Sequence, residues 1–283
     1  MTPRRVVFTA VTGSYESLNE TPVEVDTDVP FICFTDDPAL TSNRWTVVHV
    51  PRWFPSDPMR SQRVLKISGH PLLDEFDETL YIDNTVRLRV DPRDILAEWL
   101  SARDLAIPVH SFRKTVREEF DAVAIAGLDT SERLAEQLDH YVRDYPDVLT
   151  QTPHWNGMIA RRRSAAVRSA MDLWLSHVMR YSRRDQLSLN VAVAIAGLEM
   201  ESVRLDNHTS RLHEWPVALD RKPGIDFGWH LANANVESRL LRLSTERDEL
   251  REKVAQMQQS SSWRMTAPLR QLAEGLRRPS SEV

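Results

Sequence analysis

The sequence contains one cysteine, Cys33, among its 283 residues, and this scarcity excludes two kinds of stabilised protein. A disulfide framework within one chain needs a pair of cysteines, and a structural zinc site built on thiolates needs several. Cys33 lies in an apolar stretch, so we interpret it as a small core residue. The fold must therefore depend on a hydrophobic core, for which this length and a 41% hydrophobic composition are sufficient.

Long hydrophobic runs are also missing. No stretch approaches the roughly 20 apolar residues that cross a bilayer. Residues 1–13 do not fit a secretory leader, because two arginines precede only a short apolar run. The net charge of −5 argues against a general nucleic-acid binder, although the basic run Arg161–Arg163 keeps that class open. We expect a cytoplasmic protein that could reach the inner face of a membrane through its partners.

The sequence does contain an alternation of β-rich runs and amphipathic segments. Strands are predicted at 4–15, 29–38, 44–51, 79–88, 104–112 and 155–162, and helices at 59–73, 91–102, 130–145, 164–182 and 185–197. This alternation predicts an α/β fold in which helices flank a mostly parallel sheet. No glycine-rich phosphate loop, nucleophile elbow or zinc-protease motif accompanies it.

The chain changes character after residue 232. A heptad-like seam, with Arg247 at one position, is formed by Val236, Leu240, Leu243, Leu250, Val254 and Met257. This spacing predicts a coiled-coil helix over residues 233–260 and a homo-oligomer, with a lone amphipathic helix folded on the domain as the alternative. Residues 1–232 are then one domain, and residues 261–283 form a polar tail with a short amphipathic helix.

Polar residues fall where the apolar part of three predicted strands ends, at Gly13–Tyr15, Thr35–Asp37 and Asp83–Thr85. In parallel α/β sheets, ligands bind beyond the carboxyl ends of the strands. We therefore expect these three strand ends to converge on one crevice. There Tyr15 could stack on a base, and Asp36 could frame a nucleoside.

The predicted helix 59–73 carries Arg60, Arg63, Lys66 and His70 at spacings of three, three and four. These spacings place the four side chains on one helical face. Cations in a row repel each other unless an anion lies beside them, and a diphosphate would suit arginine forks. The alternative is a solvated basic face paired with the acidic residues of 74–77.

Asp83 interrupts a strand beside this basic helix. Such a carboxylate could hold a divalent cation that bridges phosphates, or accept hydrogen bonds from a sugar hydroxyl. Thr85 stands where a second carboxylate is normally needed, so any metal would be weakly held. Capping of a turn by Asp83 is the alternative.

Two further short motifs are candidates for contact with a sugar. Asp185 and Gln186 begin a predicted helix and could stabilise charge at a reacting carbon, with helix capping by Asp185 as the alternative. Asn156–Gly157, beside an apolar strand, indicates a close approach of the backbone to a ligand.

Several of these stretches, taken in order, carry a resemblance to a known family. The matching blocks are 6–18, 30–38, 45–51, 63–73, 80–96, 113–122 and 183–193. They resemble a glycosyltransferase-like family, first catalogued as a domain of unknown function, with plant members linked to mucilage polysaccharides and many bacterial members. That family is similar to nucleotide-sugar transferases of the GT-A fold, especially the glycogenin-like retaining group. The resemblance implies a GT-A-like fold, a sugar-nucleotide donor and transfer to a hydroxyl.

The resemblance extends to individual residues. Residues 81–85 stand where the glycogenin-like group has Tyr-Leu-Asp-x-Asp, with Thr85 in place of the second Asp. Residues 185–190 stand where that group has Asp-Gln-Asp-x-Leu-Asn, and again the second Asp is absent. Asn156–Gly157 resembles the group's Asn-Ala-Gly on the acceptor side. These departures put metal dependence in question.

The resulting hypothesis is a hexosyltransferase of surface polysaccharide assembly, with a glycan or lipid-linked acceptor. The donor-binding residues are Tyr15, Asp36, Arg60, Arg63, Lys66, His70, Asp83, Asn84 and Thr85; those at the sugar are Asp185 and Gln186; those on the acceptor side are Asn156, Gly157 and Asn190. Asp83 and His208 are the candidate ligands for Mn or Mg, with His230 as another candidate for the histidine. The alternative function is a non-catalytic module that binds sugar nucleotides or glycans and is oligomerised by its coiled coil.

Overall fold

The computed structural model describes residues 2–14, 16–219 and 250–257. The strands are β1 Arg5–Val11, β2 Phe31–Thr35, β3 Thr46–His49, β4 Glu78–Ile82, β5 Arg87–Leu88, β6 Leu105–Pro108, β7 Met158–Arg162, β8 Glu201–Val203 and β9 His213–Glu214. The α-helices are α1 Pro58–Ser68, α2 Pro92–Trp99, α3 Val116–Ile125, α4 Ser131–Asp144, α5 Ala165–Arg180 and α6 Leu189–Ala196. Short 3-10 helices lie at Pro71–Glu75, Pro146–Thr150 and Asp185–Leu187.

The main sheet has seven strands in the order β3-β2-β1-β4-β7-β6-β8. Its strands are parallel except β7, which runs antiparallel to both β4 and β6. This confirms the predicted α/β fold with a mostly parallel sheet. Because β7 is reversed, its first residue, Met158, lies opposite Ile82 at the carboxyl end of β4. The residues that precede β7 therefore reach the same edge of the sheet as the residues that follow β4.

Both faces of the sheet are covered. Side chains of β4 alternate between the two faces, as a strand requires, with Tyr81 in one apolar cluster and Leu80 and Ile82 in the other. The first cluster joins the sheet to α5 and α6, and its buried members include Phe8, Phe34, Met171, Trp174 and Leu189. The second joins it to α2, through Ile95, Leu96 and Trp99. A third cluster of α3 and α4 packs around Phe120 and Tyr141.

The predicted strand 79–88 is in fact two strands. The backbone N–H of Val86 donates to the carbonyl of Asp83 (2.8 Å), which makes a turn directly after β4. Beyond the turn, β5 leaves the main sheet and pairs with β9 in a second, two-stranded sheet. The polar residues 83–85 thus form the corner between the two sheets.

Helix α1 is shorter than predicted, and this moves one candidate residue. It ends at Ser68, because Gly69 adopts φ +78 and breaks the helical path. His70 therefore does not lie on the helical face that carries Arg63 and Lys66. It caps the following 3-10 helix, where its side chain accepts a hydrogen bond from the N–H of Leu72.

Residues 250–257 are helical, with Leu250, Val254 and Met257 about half exposed. The predicted coiled coil 233–260 lies mostly outside the described residues, and the tail 261–283 lies wholly outside them, so both stay predictions. Among the described residues, no helix combines the length and the apolar character of a membrane span.

Candidate active site

Four buried or half-buried charged residues meet at the carboxyl end of β4. We call Arg63, Lys66, Asp83 and Asp185 the charge cluster. Arg63 and Lys66 come from α1, Asp83 follows β4, and Asp185 begins a 3-10 helix after α5. Because α1 packs against α5, the two cations lie beside the segment that carries Asp185.

Lys66 is the centre of the cluster. Its Nζ lies 2.9 Å from Asp185 Oδ2 and 3.4 Å from Asp83 Oδ1, so one ammonium bridges two carboxylates. The side chains of Lys66 and Asp185 are only 2% and 4% exposed, which leaves little water to screen their attraction. The Lys66 ammonium also lies 5.0 Å from the centre of the Tyr81 ring.

Asp185 is held as an anion. Burial alone would raise the pKa of its carboxyl, but Arg63, Lys66 and Arg184 together hold that pKa well below its usual range. Arg63 Nε lies 3.4 Å from Asp185 Oδ2. A permanently ionised carboxylate is a poor general base at neutral pH, but it can stabilise positive charge that develops beside it.

Asp83 is the cluster's most exposed carboxylate, at 33% of its side chain. The Tyr81 hydroxyl donates to its Oδ1 (2.7 Å), and Gln62 Nε2 donates to that hydroxyl in turn (2.7 Å). The backbone N–H of Asp83 donates to the carbonyl of Gly157 (2.8 Å). One carboxylate oxygen is therefore oriented by the protein, and the carboxylate remains open to solvent.

Asn84 and Thr85 hold loops together. The Asn84 amide accepts from the N–H of Asn19 (2.9 Å) and donates to Glu16 and to the Ser17 carbonyl (both 2.9 Å), all in the segment after β1. The Thr85 hydroxyl accepts from the indole N–H of Trp215 (3.1 Å). Of the three residues predicted to face a donor at this corner, the structure brings only Asp83 to the charge cluster.

Arg60 also has a different environment from the other basic residues of α1. Its guanidinium donates to the carbonyls of Val178, Met179 and Tyr181, at the end of α5. Carbonyls at a helix end lack intrahelical partners, so a buried guanidinium satisfies them well. Arg60 thus joins α1 to α5, and the structure does not bring it to the charge cluster. His70, whose ring lies 4.9 Å from that of Phe34, is likewise outside it.

The ends of β1 and β2 form a second part of the crevice. Asp36 accepts from the N–H of Gly13 (2.8 Å) and pairs with Arg52, so it positions the loop after β1. Ser14 donates to Asp37 (3.0 Å) in the same loop. A cavity of about 230 Å³ lies here, lined by Val11, Ser14, Glu16, Ser17, Leu18, Glu20, Thr35, Asp37, Leu40 and Thr41. Tyr15 falls outside the described residues, so its predicted stacking on a base stays a prediction.

Asp185 does not cap a helix with its side chain, which was the alternative interpretation of this residue in the sequence. Asp185 opens a 3-10 helix without a side-chain capping bond, and its carbonyl accepts from the Trp174 indole (2.9 Å). Gln186 accepts from Arg184 Nη2 (3.3 Å). Arg184 Nε is buried and has no hydrogen-bond acceptor among the described residues. A buried donor of this kind is suited to an incoming anion.

Of the residues predicted on the acceptor side, Asn156 differs from Asn190. Asn190 is fully engaged, with His154, Gln151 and the Thr152 carbonyl as partners. Asn156 is 2% exposed, and neither its amide nitrogen nor its amide oxygen has a partner within the described residues. Since buried amides are normally paired, the Asn156 amide is the better candidate for contact with a ligand.

Gly157 is required by the indole next to it. A Cβ at this position would lie 2.3 Å from Cζ2 of Trp155. We expect Gly157→Ala to lower the free energy of unfolding by about 1–3 kcal/mol, because the buried indole must shift. Urea denaturation would measure the loss.

The matched control is Gly197→Ala. Gly197 has φ +62, but a methyl group added there would meet no atom of the described residues within 4 Å, so the substitution adds backbone strain without a clash. A cost of about 1 kcal/mol is expected there. A smaller cost for Gly157→Ala than for Gly197→Ala would contradict the contact with Trp155.

Sequence reasoning missed a buried carboxylate near the cluster, Glu119 of α3. Burial raises the pKa of Glu119, against the charges of Arg184 and Arg113, and Arg113 Nε lies 3.2 Å from it. The only sequence signal was the block 113–122, which carries part of the resemblance. Arg161, which belongs to the basic run considered for nucleic-acid binding, is buried and donates to the carbonyls of Lys66 and Ile67.

An aromatic column borders the corner at Thr85. The rings of Phe112 and His208 are stacked with their centres 5.2 Å apart, and the ring of His208 stacks on that of Trp215 with their centres 5.3 Å apart. Phe112 and His208 are both exposed to solvent. His208 thus takes part in ring stacking, which its candidate role as a metal ligand did not anticipate.

The residues around Asp83 do not fit a divalent cation. A divalent cation beside a diphosphate is normally held by one or two carboxylates whose negative charge the protein leaves unneutralised, together with the phosphates themselves. Here Lys66 already bridges Asp83 and Asp185, and the Thr85 hydroxyl is engaged by Trp215. Across residues 2–14, 16–219 and 250–257, no group of three His, Cys, Asp or Glu side chains could hold a metal ion.

Comparisons with known proteins agree on the broad class. Residues 6–206 match the family described as "TOD1/MUCI70, glycosyltransferase-like domain". The "probable hexosyltransferase MUCI70" of Arabidopsis thaliana is 28% identical over 155 residues, which are 52% of this chain and 27% of that protein. The chain thus spans about a quarter of the length of this curated relative.

Solved structures give a weaker likeness. The mannosyltransferase Ktr4p from S. cerevisiae is 12% identical, with a TM-score of 0.41 over 68% of this chain and 66% of the other. Core-mannan synthase A from Aspergillus fumigatus, in its Mn/GDP form, is 11% identical, with a TM-score of 0.42 over 67% and 69%. Nothing is inferred about the site from structures this distant. The assignment to a family rests on the sequence match alone. Matched over most of its length, the chain belongs to the TOD1/MUCI70 glycosyltransferase-like domain family.

Proposed function

We propose that this protein is a hexosyltransferase, which moves a sugar from a nucleotide-sugar donor to a hydroxyl acceptor. One observation carries the proposal beyond the family match. At the carboxyl end of β4, Asp185 is held ionised between Arg63 and Lys66, beside the exposed Asp83. Such a set of fixed charges suits a reaction that develops positive charge on a sugar and negative charge on a diphosphate.

The donor would span two neighbouring parts of the crevice. The cavity of about 230 Å³ at the ends of β1 and β2 suits a nucleoside, whose hydroxyls could meet Asp37 or Ser14. The diphosphate would then extend toward Arg63 and Arg184, where the Arg184 Nε lacks an acceptor among the described residues. Arginine forks are well matched to phosphate oxygens.

The proposed reaction exchanges one bond for another. The bond between the anomeric carbon and the donor's phosphate oxygen breaks, and a bond from that carbon to the acceptor oxygen forms. The acceptor's proton leaves with the nucleoside diphosphate. Asp185 and the Gln186 amide would stabilise the sugar, while Arg63 and Arg184 stabilise the departing diphosphate.

The acceptor would enter past Asn156 and the aromatic column. The exposed rings of Phe112 and His208 provide an aromatic surface at the end of this column, and a sugar ring can pack its C–H groups on such a surface. This fits a glycan or lipid-linked acceptor in polysaccharide assembly. We also propose that the protein works in the cytoplasm, at the inner face of a membrane.

Screening of nucleotide sugars tests the proposal. Purified protein is incubated with UDP-, GDP- and ADP-sugars, and the release of nucleoside diphosphate and the labelled product are followed by mass spectrometry. We expect slow hydrolysis of one donor without an acceptor and a glycosidic product with one. Asp172→Asn, an exposed carboxylate of α5, serves as the control that should keep activity.

The opposite outcome would favour the non-catalytic module. Saturable binding of a nucleotide sugar in calorimetry, with neither hydrolysis nor transfer on any acceptor, would contradict the transferase. One observation in the structure favours the non-catalytic module. In the ligand-free fold both Arg63 and Lys66 already have a carboxylate partner, so a diphosphate must compete with Asp185 for them.

A further inference from the structure

Two carboxylates near a diphosphate ordinarily bind a divalent cation, which neutralises both the protein's acids and the phosphates. In this chain the point between Asp83 and Asp185 holds the Lys66 ammonium. We propose that Lys66 is a built-in counter-ion in the place of a divalent cation, so that the site binds nucleoside diphosphates without a metal ion. The inference rests on the proposed function in taking a nucleoside diphosphate as the ligand.

The Lys66 side chain is fixed. It is 2% exposed, and its ammonium has Asp185 at 2.9 Å and Asp83 at 3.4 Å. The turn of α1 that carries it is also anchored, because Arg161, which is buried, donates to the carbonyls of Lys66 and Ile67. A lysine held in this way cannot swing aside for a metal without breaking its buried ion pair with Asp185 and its half-exposed pair with Asp83.

The charges also leave little attraction for a metal. The cluster has two cations, Arg63 and Lys66, and two anions, Asp83 and Asp185, and Arg184 adds a further positive charge close to Asp185. Before a diphosphate binds, a divalent cation would therefore meet no net negative charge from these five residues. A diphosphate, by contrast, would find Arg63 and Arg184 without first needing a metal.

The ligand atoms are already used as well. Asp83 Oδ1 accepts from the Tyr81 hydroxyl (2.7 Å) and lies beside Lys66 Nζ. Asp185 Oδ2 lies beside both Lys66 Nζ and Arg63 Nε. Coordination of a metal between the two residues would have to displace these contacts.

Binding of Mn²⁺ measures the inference without any transfer reaction. The full chain is titrated with Mn²⁺ and followed by electron paramagnetic resonance, alone and with UDP or GDP. We expect no stoichiometric Mn²⁺ site in either state, and calorimetric Kd values for the nucleotides that differ by less than about threefold between EDTA and Mn²⁺, since no coordination bond is gained. One Mn²⁺ per chain that is lost in Asp83→Asn would overturn the inference.

For the variant Lys66→Ala the expected result is the opposite, namely that a Mn²⁺ site appears. Lys66→Ala removes the ammonium and leaves two carboxylates facing each other, so it should gain a Mn²⁺ site that Asp83→Asn then removes from the double variant. Lys114→Ala, at an exposed position before α3, is the matched control and should gain none. If circular dichroism shows that Lys66→Ala does not fold, the comparison of wild type with Asp83→Asn still decides.

The outcomes separate this inference from the proposed function. Absence of a Mn²⁺ site together with failure to turn over any nucleotide sugar would leave the internal counter-ion standing and refute the transferase. Turnover that requires Mn²⁺, with a metal lost in Asp83→Asn, would support the transferase and refute the counter-ion.

Discussion

Replacement of Asp185 by asparagine is expected to slow sugar transfer strongly and to lower the free energy of unfolding by about 3–5 kcal/mol, because it removes the buried carboxylate that Arg63 and Lys66 share. Lys66 would keep only the more exposed Asp83, and Arg63 would lose its carboxylate partner. Turnover should fall by about 10²–10³-fold or more, the usual cost of one electrostatic stabiliser. Chemical denaturation and donor hydrolysis measure the two effects.

The pH dependence of stability gives an independent check on Asp185. Its pKa is depressed in the folded state, so its contribution to stability is complete above the ordinary pKa of an aspartate, near 4, and is lost as the pH falls below it. Asp185→Asn should lack this contribution, so the gap between the two unfolding free energies should shrink as the pH falls from about 5 to 3. A gap that stays constant over this range would contradict a paired, ionised Asp185.

The second large effect is a contrast between two arginines one turn apart on α1. Arg63→Ala should lower turnover by about 10²-fold or more, because the proposed diphosphate loses a guanidinium, with a smaller loss of stability since Lys66 still pairs with Asp185. Arg60→Ala should lower the unfolding free energy by about 2–4 kcal/mol, because three carbonyls at the end of α5 lose their donor.

The pair serves as its own control. The folded fraction of Arg60→Ala should keep near-normal turnover and donor KM, measured below its unfolding transition. Loss of turnover in folded Arg60→Ala, with normal turnover in Arg63→Ala, would contradict the assignment of the two arginines.

The parallel architecture could be predicted from the sequence because each strand is a short apolar run closed by polar residues. The predicted meeting of strand ends is confirmed by particular contacts, since Asp36 after β2 accepts from Gly13 after β1, and Asn84 after β4 donates to Glu16 after β1. The reversal of β7 could not be predicted, because strand direction depends on its pairing with β4. Yet that reversal brings Asn156 and Gly157 to the same edge.

The partners of individual side chains were the least predictable feature. Helical spacing placed Arg60 beside Arg63 and Lys66, but only packing against α5 shows that its guanidinium binds helix-end carbonyls. Asn84 and Thr85 were grouped with Asp83 because they are adjacent in sequence. At a chain corner, successive side chains point to different partners, so adjacency does not predict a shared role.

The position of a bound diphosphate tests the central claim most directly. A crystal structure of the protein with UDP or GDP is predicted to place the phosphates within hydrogen-bond distance of Arg63 and Arg184, beside Asp83 at the end of β4. Phosphates bound instead along the outer face of α5, where Arg163 and Arg168 line a cavity of about 720 Å³, would contradict it.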